Sequence, residues 1–94
     1  MEAKLNRLRE LALNKKFSLR IEFKKIKYAL ILGKTISVED KTTGSLVKWF
    51  QAFGNLTLRD LINNFEIEAI FLEKSGEEWN FKNIEDAILF LEKV

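Results

Sequence analysis

Leu5, Leu8, Leu11 and Ala12 recur at helical spacing, with Lys4, Arg7 and Arg9 on the intervening positions. This pattern predicts an amphipathic helix over residues 2–15. From Phe17 the period becomes two. Phe17, Leu19, Ile21 and Phe23 alternate with Ser18, Arg20, Glu22 and Lys24, which is the pattern of a half-buried strand. The apolar phase then shifts to Ile26, Tyr28, Leu30 and Leu32. A hairpin turning at Lys24-Lys25 accounts for the shift. It pairs Phe23 with Ile26, Ile21 with Tyr28, Leu19 with Leu30 and Phe17 with Leu32, and sets Glu22 beside Lys27 on the other face. Lys-Lys offers no cheap positive φ, so the pairing carries this expectation and the turn chemistry does not.

Gly33-Lys34-Thr35 reads as a second turn, leading to a strand over Ile36-Ser37-Val38-Glu39-Asp40, and Lys41-Thr42-Thr43-Gly44 as a third turn. Residues 45–53 fit two patterns. Leu46, Trp49, Phe50 and Phe53 lie at i, i+3, i+4 and i+7, with Ser45 as an N-cap and Gly54 as a stop. A four-residue loop would instead pair Val38 with Val47 and Ile36 with Trp49. The strand is the expectation adopted for residues 45–50. Thr57 with Asp60 makes a box-like helix start ahead of Leu58, Leu61 and Ile62. Phe65 to Leu72 reads as a strand, Ser75-Gly76 as a turn, and Trp79 with Phe81 as a short return. Asn83 caps a last helix with the stripe Ile84, Ala87, Ile88 and Leu91. These elements predict one α+β domain over residues 1–94. Its antiparallel sheet has four to six strands, with the N-terminal and C-terminal helices packed on it. Leu19, Ile21, Leu30, Ile67, Phe71, Ile88 and Leu91 are its expected core.

Composition narrows the chemistry. At 94 residues the chain suits one domain, and 47% apolar residues argue against disorder. No apolar run approaches the roughly 20 residues of a membrane span. The sequence has no His, Cys or Pro, which removes thiolate chemistry, zinc sites and the commonest general base. Residues 2–14 carry charges where a signal peptide is apolar, so a cytoplasmic location is expected and the Asn55-Leu56-Thr57 sequon is idle. Abundant Lys, Ile, Phe and Asn beside only four Arg look like AT-rich coding, as in many low-GC bacteria and their phages.

The net charge of +2 conceals an asymmetry. Residues 1–34 hold ten basic and three acidic side chains, whereas residues 35–94 hold six basic and eleven acidic. Such a division hints at an electrostatic partner, but it also arises when two halves neutralise one another inside one fold.

Motifs resembling catalytic signatures fail on context. Gly33-Lys34-Thr35 looks like the end of a phosphate loop, yet Tyr28 replaces the first glycine and a strand follows instead of a helix. Ser45-Leu46-Val47-Lys48 matches S-x-x-K without its partner motifs. Glu66 and Glu68 could hold a hard cation, but they lie opposite an apolar row of Phe65, Ile67, Ala69 and Phe71, so they face solvent. No catalytic residue, cofactor or metal is expected. The stretch Phe17 to Tyr28 is basic and aromatic, as in RNA-binding sheets, but its aromatics share the core phase.

The leading expectation is a non-catalytic protein–protein interaction module or inhibitor with another protein as partner. The alternative is nucleic-acid backbone binding through the basic N-terminal third. Lys15, Lys16, Arg20, Lys24, Lys25, Lys27, Trp49 and Trp79 are the expected partner-binding residues. No membrane partner is expected, and a homo-oligomer is compatible with the composition.

Overall fold

The computed structural model describes residues 2–94. Helix α1 (Glu2–Asn14) leads into strands β1 (Ser18–Phe23), β2 (Tyr28–Leu32), β3 (Ile36–Asp40) and β4 (Leu46–Val47). Two short helices follow, α2 (Trp49–Phe53) and α3 (Leu58–Asn64), then strands β5 (Ile67–Lys74) and β6 (Glu77–Phe81) and helix α4 (Ile84–Lys93). The six strands form one antiparallel sheet in the order β4-β3-β2-β1-β5-β6. The expected α+β class, its antiparallel sheet and its two terminal helices are all present.

The helices lie on one face of the sheet. Leu5, Leu8 and Ala12 of α1, and Ile84, Ala87 and Leu91 of α4, are buried against Leu19, Ile21, Phe23, Leu30, Leu32, Ile70 and Leu72. α1 and α4 run in the same direction. Lys4 meets Glu85 near both starts, and Lys15 reaches the carbonyls of Leu91 and Val94 near both ends. That cation satisfies carbonyls which a helix leaves without intrahelical partners. The other sheet face carries Arg20, Glu22, Ile31, Glu39, Ala69 and Phe71, all partly exposed and outside the core cluster.

Four local expectations need correction. The β1–β2 register places Ile21 opposite Leu30 and Arg20 opposite Ile31, two residues away from the expected Ile21–Tyr28 pairing. A two-residue Lys24-Lys25 turn would need positive φ at Lys24, and in the type I′ form at Lys25 as well. The chain instead uses a longer loop in which Lys25 alone is left-handed, at φ 63°. Because side chains alternate with period two, this slip keeps every residue on its expected face, but Glu22 now opposes Ala29 and not Lys27.

Residues 45–50 do not continue as a strand. Val47 pairs with Val38 as expected, but pairing stops there and α2 begins at Trp49. The helix turns Trp49 and Phe53 to the same side, with ring centroids 4.9 Å apart, and leaves Phe50 outside. The Trp49 indole N–H also donates to the Leu56 carbonyl at 2.7 Å, tying α2 to the following turn.

The third correction is a bulge in β5. Glu22 pairs with Ala69 and the next residue, Phe23, with Ile67, so Glu68 is an extra residue. The bulge changes the phase. Ile70 and Leu72 are the fully buried positions, and Phe71 turns to the open face. Phe65 precedes the strand: it closes α3, its N–H donating to the Leu61 carbonyl, and is 38% exposed. Fourth, of the expected core, Leu19, Ile21, Leu30 and Leu91 are buried, whereas Ile67, Phe71 and Ile88 are only partly so.

Candidate interaction surface

The basic side chains of the N-terminal third are largely engaged within the fold. Lys4 pairs with Glu85 at 2.7 Å, Arg7 with Glu92 at 3.1 Å and Lys24 with Glu66 at 2.9 Å. Lys27 lies 3.5 Å from Asp40. Arg9 donates to the Gly33 and Lys34 carbonyls, fastening the β2–β3 turn to α1. Exposed pairs of this kind contribute about 0–1 kcal/mol each. Their consequence here is for function: they absorb charge that a nucleic acid would otherwise meet.

Arg20 is the most embedded of these cations. It stands on the open sheet face, with Nε 2.9 Å from Glu22 and Nη1 2.5 Å from Glu39. Burial opposes its charge, but hydrogen bonds to Glu22 and Glu39 outweigh it and raise the guanidinium pKa above its ordinary value. Lys41 approaches Glu22 from the far side at 4.0 Å. This network is a closed arrangement of two cations and two carboxylates.

The β3–β4 turn is built around Asp40. Its carboxylate accepts from the Thr42 N–H at 2.8 Å, and its carbonyl accepts from Gly44, which adopts φ 75°. The Thr42 N–H, aided by the Lys27 charge, holds this carboxyl below its ordinary pKa. Asp40 in turn raises Lys27, first through its charge, and the hydrogen bond and charge of Glu66 raise Lys24.

The eight expected partner-binding residues do not converge on one surface. Lys15 is spent on the end of α4, while Lys16 occupies the α1–β1 loop at φ 64°. Lys24, Lys25 and Lys27 lie beyond the other end of β1, whose six residues span about 20 Å. Trp49 packs on Phe53 in α2, on the β4 side of the sheet. Trp79 is at the β6 edge, edge-on to Phe17 and 5.2 Å from the Phe90 ring. Both indoles are partly buried and held by neighbours.

A hollow of about 310 Å³ opens between α3, β5 and the start of α4, lined by Ile62, Phe65, Ile67 and Ile84. Its rim groups are already committed: Glu66 to Lys24, Asn83 to the Asp86 N–H and Glu85 to Lys4. Among the described residues no group of three or more acidic side chains is placed to hold a metal ion. Among them, too, no helix is long and apolar enough to cross a membrane.

The surface that stands out is apolar and was not foreseen. At the β4–α2 corner Leu46 is 67% exposed and Phe50 70% exposed. Leu46 pairs with Glu39 and so sits on the open face, at the sheet's outermost strand. Phe50 is turned outwards because its neighbours Trp49 and Phe53 occupy the inward side of α2. Single exposed apolar residues need no explanation, but these two are the most exposed large apolar side chains among the described residues, on adjoining elements. Ile36 at 37% and Leu56 at 38% add to the exposed apolar surface of neighbouring segments. The sequence hid this corner, because an apolar period is the same whether its residues meet a core or a partner.

Comparison of the chain with protein-family models, with curated proteins and with solved structures finds no match. The functional reading therefore rests on the surface itself.

Proposed function

We propose that this chain is a non-catalytic protein–protein interaction module, consistent with an inhibitor, that grips a protein partner through the β4–α2 corner. The single observation behind this reading is the exposure of Leu46 and Phe50. Interface energy concentrates in large apolar and aromatic anchors that a partner desolvates, with a polar rim around them. Here Phe50 is the anchor and Lys48, Gln51 and Glu39 are the rim. Among the described residues the cations outside any ion pair are dispersed, Lys16, Lys25 and Lys34 in three different loops and Arg59 and Lys93 on helices. Such dispersed charge favours steering a partner over cradling a phosphate backbone. The absence of cysteine suits a cytosolic setting.

The test is a pull-down from the source organism with the parent chain and a Leu46→Asp/Phe50→Asp variant. Both side chains are mostly in solvent, so the variant retains its melting temperature. A protein captured by the parent and lost by the variant is expected. Capture that is indifferent to the corner refutes this surface. A parallel anisotropy titration with random duplex and single strands at low and moderate salt should give only weak binding. Tight binding that falls steeply with salt, and that weakens when Lys24, Lys25 and Lys27 are neutralised together, would replace the proposal with nucleic-acid backbone recognition.

A further inference from the structure

The sheet has two edges. β4 is two residues long, but β6 presents five residues with no neighbour on its outer side. A free edge is a template for another strand, and natural edges are commonly blunted by charge of one sign, by proline or by a covering element. The β6 segment, Glu77-Glu78-Trp79-Asn80-Phe81-Lys82, has no proline and carries acid at one end and base at the other.

Which of its groups point outward follows from the turn. Ser75 and Gly76 both have positive φ, 54° and 83°, between the paired residues Lys74 and Glu77. This is the two-residue type I′ geometry, in which the flanking pair exchanges both main-chain bonds. Bonded and non-bonded pairs then alternate. Glu77, Trp79 and Phe81 bond to β5, and Glu78 and Asn80 direct their N–H and C=O groups outwards; Lys82 follows directly after the strand, at a bend.

We propose that the protein forms a two-fold dimer through antiparallel β6–β6 pairing centred on Asn80, making one continuous twelve-stranded sheet. In that register Asn80 forms the central bonded pair with its counterpart, and the Glu78 side chain of each copy lies across from Lys82 of the other, twice by symmetry. Trp79 lies across from Phe81 of the second copy at the closer, non-bonded spacing of about 4.5 Å. Neither Glu78 nor Lys82 has an ion-pair partner among the described residues of one copy, and both are exposed.

The aromatic cluster at this edge gains from the same contact. Phe90 lies 5.2 Å from Trp79 and 5.3 Å from Phe81, and all three are only partly buried in one copy. Pairing brings a second such cluster alongside. Other registers are worse. Moving the axis to Glu78 sets like charges face to face, and moving it to Trp79 leaves Lys82 opposite Gly76. A two-fold pairing is self-limiting, because it consumes the β6 edge of both copies.

The experiment is sedimentation equilibrium on the full chain from about 1 µM to 1 mM. A reversible dimer is expected. Glu78→Lys and Lys82→Glu each replace two attractive cross-strand pairs by repulsive ones, so each should weaken dimerisation roughly tenfold or more. The double change Glu78→Lys/Lys82→Glu restores complementarity and should recover most of the affinity. Asn80→Pro removes an outward N–H without a β5 partner, and should leave the monomer folded while abolishing the dimer. Circular dichroism checks folding of every variant. A parent that stays monomeric at 1 mM overturns the proposal, as does a dimer insensitive to both single charge reversals or a double reversal without rescue. The β4–α2 corner is untouched by these changes, so failure here leaves partner capture to be judged separately.

Discussion

The bulge at Glu68 makes a sharp prediction at two adjacent residues. Ile70 is fully buried, between Ile21 on β1 and Phe81 on β6, whereas Phe71 stands on the open face between Arg20 and Asn80. Asparagine is placed at each in turn. At Ile70 the change forfeits about 2–3 kcal/mol of apolar burial and strands an amide in the core at about 1–3 kcal/mol more. The sum, about 3–6 kcal/mol, compares with a total stability of roughly 5–14 kcal/mol for a chain of this length. At Phe71 the new amide is hydrated and only partial ring burial is lost, about 1–2 kcal/mol. Thermal melts followed by circular dichroism should therefore show Phe71→Asn melting roughly 4–16 °C below the parent, and Ile70→Asn far lower or unfolded at the outset. The unbulged alternation of Phe65, Ile67, Ala69 and Phe71 demands the reverse order. Greater damage at Phe71 than at Ile70 would refute the bulge and the phase built on it.

Three further outcomes follow from named contacts. Thr57→Ala removes the hydroxyl that accepts from Asp60 in the α3 capping box and should cost about 1 kcal/mol, read as a lower denaturant midpoint with an unchanged slope. Arg20→Met leaves Glu22 and Glu39 without their shared cation and should cost about 1.5–3 kcal/mol at neutral pH. A denaturant midpoint equal to the parent's would contradict the network. The Asp40 carboxyl is lowered and Lys27 is raised, so the acid's contribution is present above the ordinary carboxylate range and lost as pH falls through it. The lysine's contribution is present below its ordinary pKa near 10.5 and lost as pH rises beyond it, so the protection of the Thr42 and Gly44 amides, taken relative to their intrinsic exchange rates at each pH, should fall at both extremes, the acid limb disappearing in Asp40→Asn.

Elements with a local chemical cause were legible in the chain. Thr57 with Asp60, and Asn83 ahead of Asp86, cap helices because short polar side chains accept from amides that the first turn leaves free. Gly76 and Gly44 mark turns because glycine tolerates positive φ. What escaped depends on the partner strand. Lys24 to Lys27 contains no residue that selects a turn type, so the β1–β2 slip by two residues left no trace in the alternation. The Glu68 bulge is equally silent, since it is defined by two residues opposing one gap across β1. At residues 45–53 both periods were present because both elements are: two residues of strand, then a helix.

The surface was less legible than the fold, for a reason that bears on how such chains work. Linear charge asymmetry was visible, but pairing is three-dimensional. Lys4, Arg7 and Lys24 meet Glu85, Glu92 and Glu66, from 42 to 85 residues away, and the dipole along the chain becomes a mosaic in space. Two features stand apart from that mosaic: the exposed Leu46 and Phe50 at one side of the sheet and the open β6 edge at the other. They lie at opposite ends of the strand order, with four strands between β4 and β6. Self-pairing at β6 therefore leaves the corner of each copy uncovered. A dimer would present two such corners on one extended sheet, and a partner with two matching sites would bind it with avidity set by their spacing. Abolishing the dimer with Asn80→Pro should then lower apparent affinity for a bivalent partner while leaving affinity for a single-site fragment unchanged. Equal loss for both would mean that β6 itself is part of the partner's footprint.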